Sequence, residues 1–124
     1  MILKRILGIT AMLTMALLYF SCKHETVIPE QKVCFAADIQ PIINANCANT
    51  GCHDAITHEE GIDLSSYNGI MKEVSAGKPY DSELYDVIRS GEMPPSPRTA
   101  LNSDQMKLIY VWILQGAKNE ACAK

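Results

Sequence analysis

Apolar residues recur at helical intervals along much of this chain, and nowhere do they alternate in the twos that a strand would need. Ile39, Ile42, Ile43 and Cys47 fall on one helical face, with Asp38 as the expected N-cap. Pro41 sits in the first turn, where its missing N–H does no harm. The strongest pattern lies near the C-terminus. Met106, Ile109, Tyr110, Ile113 and Leu114 form one stripe, and Leu108, Val111 and Trp112 widen it, which predicts a helix covered on several sides. Asn102 or Ser103 caps it, Asn102 with Gln105 resembles a capping box, and Gly116 stops it. Between these two helices, residues 61–67 read as an extended or turn segment. A short helix follows through Ile70, Met71 and Val74, ending near Gly77. Asp81 or Ser82 caps another, with Leu84, Val87 and Ile88 on its buried face and Gly91 at its end. Pro94, Pro95 and Pro97 make residues 91–97 a loop. The expectation is an all-α domain of about four short helices, without repeats or low-complexity tracts.

The chain opens on a different pattern. Lys4 and Arg5 precede a polar-poor run over residues 6–20, and Ser21 precedes Cys22. This reads as an export signal over residues 1–21. The run is shorter than the roughly 20 residues of a membrane-spanning helix, although an uncleaved anchor is the alternative. Leu18-Tyr19-Phe20-Ser21-Cys22 resembles the box that ends bacterial lipoprotein signals, whose cysteine becomes the acylated first residue. It departs from that box at Tyr19, where Leu is usual, and at Phe20, where a smaller residue is usual. Ordinary cleavage would instead leave Cys22 as a stray thiol. Residues 22–33 are charged, contain Pro29 and show no apolar period, so they read as a lipid-attached tether to a globular part over residues 34–124. Lipid on Cys22 would hold that part on the periplasmic or cell-surface side of a bacterial membrane.

Cleavage before Cys22 leaves nine Lys and Arg against fourteen Asp and Glu, a net charge of −5. Such a balance disfavours nucleic acid and suits a partner with a basic surface. A folded part of about 90 residues often needs a disulfide, metal or cofactor to supplement its core. In an exported protein each of the five cysteines needs an occupation. Cys22 is assigned to lipid. Cys34 and Cys122 flank the first and last helices. If those ends lie together, the pair forms a disulfide that the chain-entropy account values at roughly 4 to 5 kcal/mol; otherwise they are two unpaired thiols.

The remaining two stand in Cys47-Ala48-Asn49-Thr50-Gly51-Cys52-His53. This has the logic of covalent haem attachment: two thiols add across vinyl groups, and the next histidine ligates iron. The usual spacing between the cysteines is two residues. Here it is four, Ala48 to Gly51, all small or turn-tolerant, so the loop can bulge while the thiols reach the ring. Beyond the signal the chain has three methionines. Met106 lies in the helical stripe and Met71 in a helix, positions that suit core packing. Met93 stands in Gly91-Glu92-Met93-Pro94-Pro95, where prolines stiffen a loop able to hold a thioether against a ring. His/Met ligation is a recognised haem arrangement.

With these elements in this order, residues 38–117 resemble the small class I cytochrome c family. The resemblance implies one covalently attached haem c, with Cys47 and Cys52 as thioethers, His53 as proximal ligand and Met93 as distal ligand. It also implies crossed first and last helices, an exposed haem edge and one-electron exchange with redox partner proteins. Ile42, Leu64, Tyr67, Ile88, Ile109 and Trp112 are expected to line or back the pocket. Two departures stand out. One is the four-residue gap. The other is that no proline follows His53 before Pro79, so the group that holds the second imidazole nitrogen is unnamed.

Other readings compete. Cys47, Cys52, His53 and a further ligand such as His58 would make a structural zinc module, and Cys47 with Cys52 would make a disulfide. His58 in place of Met93 would give a different second ligand; otherwise His58 and His24 are solvated. A larger oxidoreductase would use the chain as its haem-bearing subunit. Glu59, Glu60, Asp63, Asp81, Glu83 and Asp86 read as a solvated face that docks a basic partner. Nothing resembles a catalytic triad or phosphate loop, so the expected role is carrier and not enzyme.

Overall fold

Helix α1 (Gln40–Asn46) grows out of a five-residue π-helical turn, Phe35–Ile39. In the computed structural model, residues 29–122 are described. The expected export signal, the expected lipid site Cys22, His24 and the expected tether as far as residue 28 lie outside the described residues. The helical path thus begins a turn earlier than the spacing of isoleucines predicts. Cys34, and not Asp38, takes the cap position, and the Asp38 carboxylate accepts a hydrogen bond from the Cys34 N–H at 2.8 Å. The reason is burial. The early start carries Phe35 to 3% exposure, with its ring 5.0 Å from Tyr67 and 5.6 Å from Trp112.

Helix α2 (Tyr67–Ile70) is capped by Ser66, whose Oγ accepts from the Gly69 N–H at 3.1 Å. It tightens into a 3₁₀ turn, Met71–Glu73, and Val74 is already extended. Helix α3 (Glu83–Ser90) ends at Gly91, whose φ of +80° suits a residue without Cβ. Ser82 precedes α3 but caps nothing with its side chain. Its buried Oγ instead donates to the Lys78 carbonyl at 2.9 Å and accepts from the Ser75 N–H at 3.0 Å. Helix α4 (Ser103–Leu114) carries the predicted capping box, with Gln105 N–H on Asn102 Oδ1 at 2.9 Å and Asn102 N–H on Gln105 Oε1 at 3.0 Å.

The four helices and their 3₁₀ turns occur with no strand among the described residues, so the fold is all-α. Helix α4 packs against the π turn and against α3. Ile39, Ile43, Ile70, Ile109, Trp112 and Ile113 are almost fully buried between them. Cys34 and Cys122 form a disulfide with 5.7 Å between their Cα atoms. Beside it, Gln115 accepts from the Val33 N–H and donates to the carbonyls of Pro29 and Gln31, while Lys32 pairs with Glu120. Residues 29–33 are therefore tied to the C-terminal end of the domain. Among the described residues no helix is long and apolar enough to cross a membrane.

Candidate functional site

Cys47 closes α1. Its N–H still reaches back to the Ile43 carbonyl at 2.8 Å, and its backbone then leaves the helical region. The four-residue gap folds as a tight turn. Cys52 N–H donates to the Asn49 carbonyl at 2.9 Å, and His53 N–H donates to the Cys47 carbonyl at 3.2 Å. Gly51 makes this turn possible with φ of +84°, and its N–H is held by Thr57 Oγ1 at 3.1 Å. The segment beyond is fastened too: Glu59 N–H meets the Cys52 carbonyl at 2.8 Å and Leu64 N–H meets the His53 carbonyl at 2.9 Å. The wide spacing is thus absorbed by a hydrogen-bonded bulge that keeps both cysteines and the histidine on one side.

That side is a cavity of about 260 Å³. Cys47, Cys52 and His53 line it from the turn, Ile62 and Leu64 from the following segment, and Leu84, Val87 and Ile88 from α3. Met93, Pro94 and Pro95 complete the wall. The Met93 N–H donates to the Val87 carbonyl at 2.9 Å, so the loop that follows α3 is pinned to that helix. All four residues read from the sequence as a ligand set, Cys47, Cys52, His53 and Met93, therefore meet at one cavity. Met71 and Met106 do not line it; both pack on the core.

The two cysteines are unpaired. Cys47 is 8% exposed, and burial first, with the neighbouring Cys52 second, pushes its thiol up to about 11. His53 Nδ1 is the one buried side-chain nitrogen or oxygen among the described residues that has no hydrogen-bond partner. An orphaned buried polar atom is costly. The acceptor expected for the imidazole's second nitrogen is thus not supplied by the described residues. Two unpaired thiols, an imidazole and a thioether around an apolar cavity fit a covalently attached haem in donor chemistry.

The other residues named from the sequence stand in different surroundings. Leu64 and Ile88 line the cavity, and Ile42, Tyr67, Ile109 and Trp112 lie in the core packed with those lining residues. Tyr67 is drawn away by its hydroxyl, which donates to the Ala117 carbonyl at 2.9 Å, and Trp112 by its indole N–H, which donates to the Lys118 carbonyl at 3.1 Å. His58 is exposed, lies off the cavity and has its Nδ1 3.2 Å from the Ala55 carbonyl. No three His, Cys, Asp or Glu side chains among the described residues gather as a metal-holding group. Of the acids grouped as one face, Glu59, Glu60 and Glu83 border the cavity, and Asp63, Asp81 and Asp86 do not. Ile62, Leu84, Val87, Glu73, Glu92 and Arg98 were not singled out as cavity residues by the motifs. The helical phase of Leu84, Val87 and Ile88 was the available signal for α3; Arg98 had none.

A protein-family model described as Planctomycete cytochrome C matches residues 50–97. The match covers less than half of the chain. It contains Cys52, His53 and Met93 but begins after Cys47. No curated protein and no solved structure matches. The helical fold and this match together support a cytochrome c-like protein, and with it the general role of that class, electron transfer by covalently attached haem.

Proposed function

We propose that this chain is an exported, lipid-anchored monohaem carrier that exchanges single electrons with partner proteins and catalyses no reaction of its own. The observation that carries the reading is the convergence of Cys47, Cys52, His53 and Met93 on one apolar cavity. Cys47 and Cys52 would hold the haem as thioethers, each thiol adding its sulfur to one carbon and its hydrogen to the other carbon of a vinyl group. No atom leaves and no electron is gained or lost. His53 and Met93 would hold the iron through a nitrogen and a thioether sulfur. When bound, the haem supplies the Fe(II)/Fe(III) couple. Leu64, Leu84, Val87 and Ile88 exclude water from the cavity wall, which favours the less charged state of an enclosed redox centre. Glutamates at the cavity's border favour a partner with a basic surface. Lipid on Cys22 confines the carrier to a membrane surface and shortens its search for partners.

Protein made in cells with cytochrome c maturation machinery should cycle reversibly as a one-electron couple in a potentiometric titration. Failure to find any reversible couple would sink the carrier reading. Met93→Ala should keep the haem attached, lower the reduction potential and open a site for carbon monoxide. An unchanged potential without carbon monoxide binding would remove Met93 as ligand. Cys22→Ala should move the protein from the membrane fraction to the soluble exported fraction, and its persistence in membranes would contradict the lipid anchor.

A further inference from the structure

Charge is distributed unevenly around the cavity. Five glutamates border it, Glu59, Glu60, Glu73, Glu83 and Glu92, and among the described residues a single cation does so, Arg98. Arg98 ends the loop that carries Met93. Its N–H donates to the Pro95 carbonyl at 3.0 Å, closing a turn that brings both side chains to the same cavity.

Arg98 takes part in none of the ion pairs among the described residues, which are Lys32 with Glu120, Lys78 with Asp81 and Arg89 with Asp86. The contrast with Arg89 is informative. On α3 that arginine has an acid one turn away and pairs with it at 2.6 Å. Arg98 shares a cavity with five carboxylates and pairs with none of them. Its charge is nevertheless felt at the Cys47 thiol, where it opposes the effect of burial.

A haem bears two propionate carboxylates. Of the charged side chains that border the cavity, the five glutamates repel a carboxylate and Arg98 attracts it. A guanidinium presents paired N–H donors that match a carboxylate in two parallel hydrogen bonds, and it stays charged at every physiological pH. We propose that Arg98 is a positioning residue that holds one propionate of the covalently attached haem, and so ties the Met93 loop to the group it serves. This inference rests on the haem reading above.

The test uses haem-loaded wild type, Arg98→Gln, Arg98→Lys and Glu92→Gln. Resonance Raman spectroscopy reads the propionate bending mode, and potentiometry reads the midpoint potential across about pH 5 to 8, where a freed propionate near acidic neighbours titrates. Arg98→Gln should shift the propionate mode, lower the potential and make it depend on pH in that range. Glu92→Gln removes an acid from the same border and should raise the potential without moving the propionate mode. If Arg98→Gln fails to mature, Arg98→Lys is read instead. It keeps the charge but loses the paired donors, so the mode should still shift. A propionate mode and pH profile identical to wild type in whichever arginine variant carries haem would overturn the assignment while leaving the haem reading intact. Colourless wild-type protein would instead overturn the haem reading itself.

Discussion

Cys47 and Cys52 bracket one turn, yet they meet solvent differently. Cys47 is buried and Cys52 is partly open. With its thiol pushed up to about 11, Cys47 stays protonated at neutral pH, and the thiol is a far weaker nucleophile than the thiolate. In haem-free protein, iodoacetamide should therefore modify Cys52 before Cys47 by about tenfold or more, and Cys47 labelling should keep rising as pH approaches 11. Peptide mass mapping over time checks this, and equal rates would contradict the buried placement of Cys47. Gly69 carries a different constraint. A Cβ there would run into the backbone carbonyl of Asp63, which cannot swing away as a flexible side chain would. Gly69→Ala should cost about 1 to 3 kcal/mol in denaturant unfolding, and a cost near zero would mean that this backbone approach is looser than described. The four site residues were legible because cysteine, histidine and a proline-flanked methionine are chemically conspicuous. Ile62 and Arg98 were not. They are ordinary residue types, and only the path of the chain brings them to the cavity.

Helix α4 was legible because its signals are local. The Asn102–Gln105 box and the stop at Gly116 need no distant partner, and the apolar stripe fills its own three turns. Asn102→Ala should cost about 1 kcal/mol, read from the denaturation midpoint, since one hydrogen bond of the box is lost. The start of α1 was not legible. Its π turn exists to bury Phe35 against Tyr67 and Trp112, residues that are remote in sequence and invisible to any local window. The same physics separates the residues that line the cavity from those that back it. Tyr67 and Trp112 look like residues that would face a flat cofactor, but their polar atoms find partners in the Ala117 and Lys118 carbonyls. Such partners can be named only once the chain has turned back after Gly116. The four-residue gap was legible as a bulge from its small residues, although the bond from His53 N–H to the Cys47 carbonyl, which closes it, was not.

On the scale of the whole molecule, a small core is supplemented from both ends. The Cys34–Cys122 bridge closes 88 residues of sequence separation, and Gln115 and the Lys32–Glu120 pair fasten the same corner. Replacing both bridge cysteines with serine should cost about 2 to 5 kcal/mol, measured as a lower thermal midpoint, while the attachment turn at Cys47 and Cys52 remains able to take its haem. Loss of attachment in that variant, with the fold retained, would show that the bridge serves the site and not only stability. Leftover-cysteine counting made this pair readable, but the Gln115 clamp was not, because glutamine has no preferred role. The account as a whole stands on covalent haem at Cys47 and Cys52. The most direct measurement is a reduced pyridine-haemochrome spectrum of wild-type protein, matured in cells with cytochrome c machinery, then denatured and extracted with acid acetone. Haem that stays with the polypeptide and gives a c-type band, and is lost when both cysteines are changed to alanine, is the predicted result. A colourless polypeptide, or haem that passes wholly into the acetone, would contradict it.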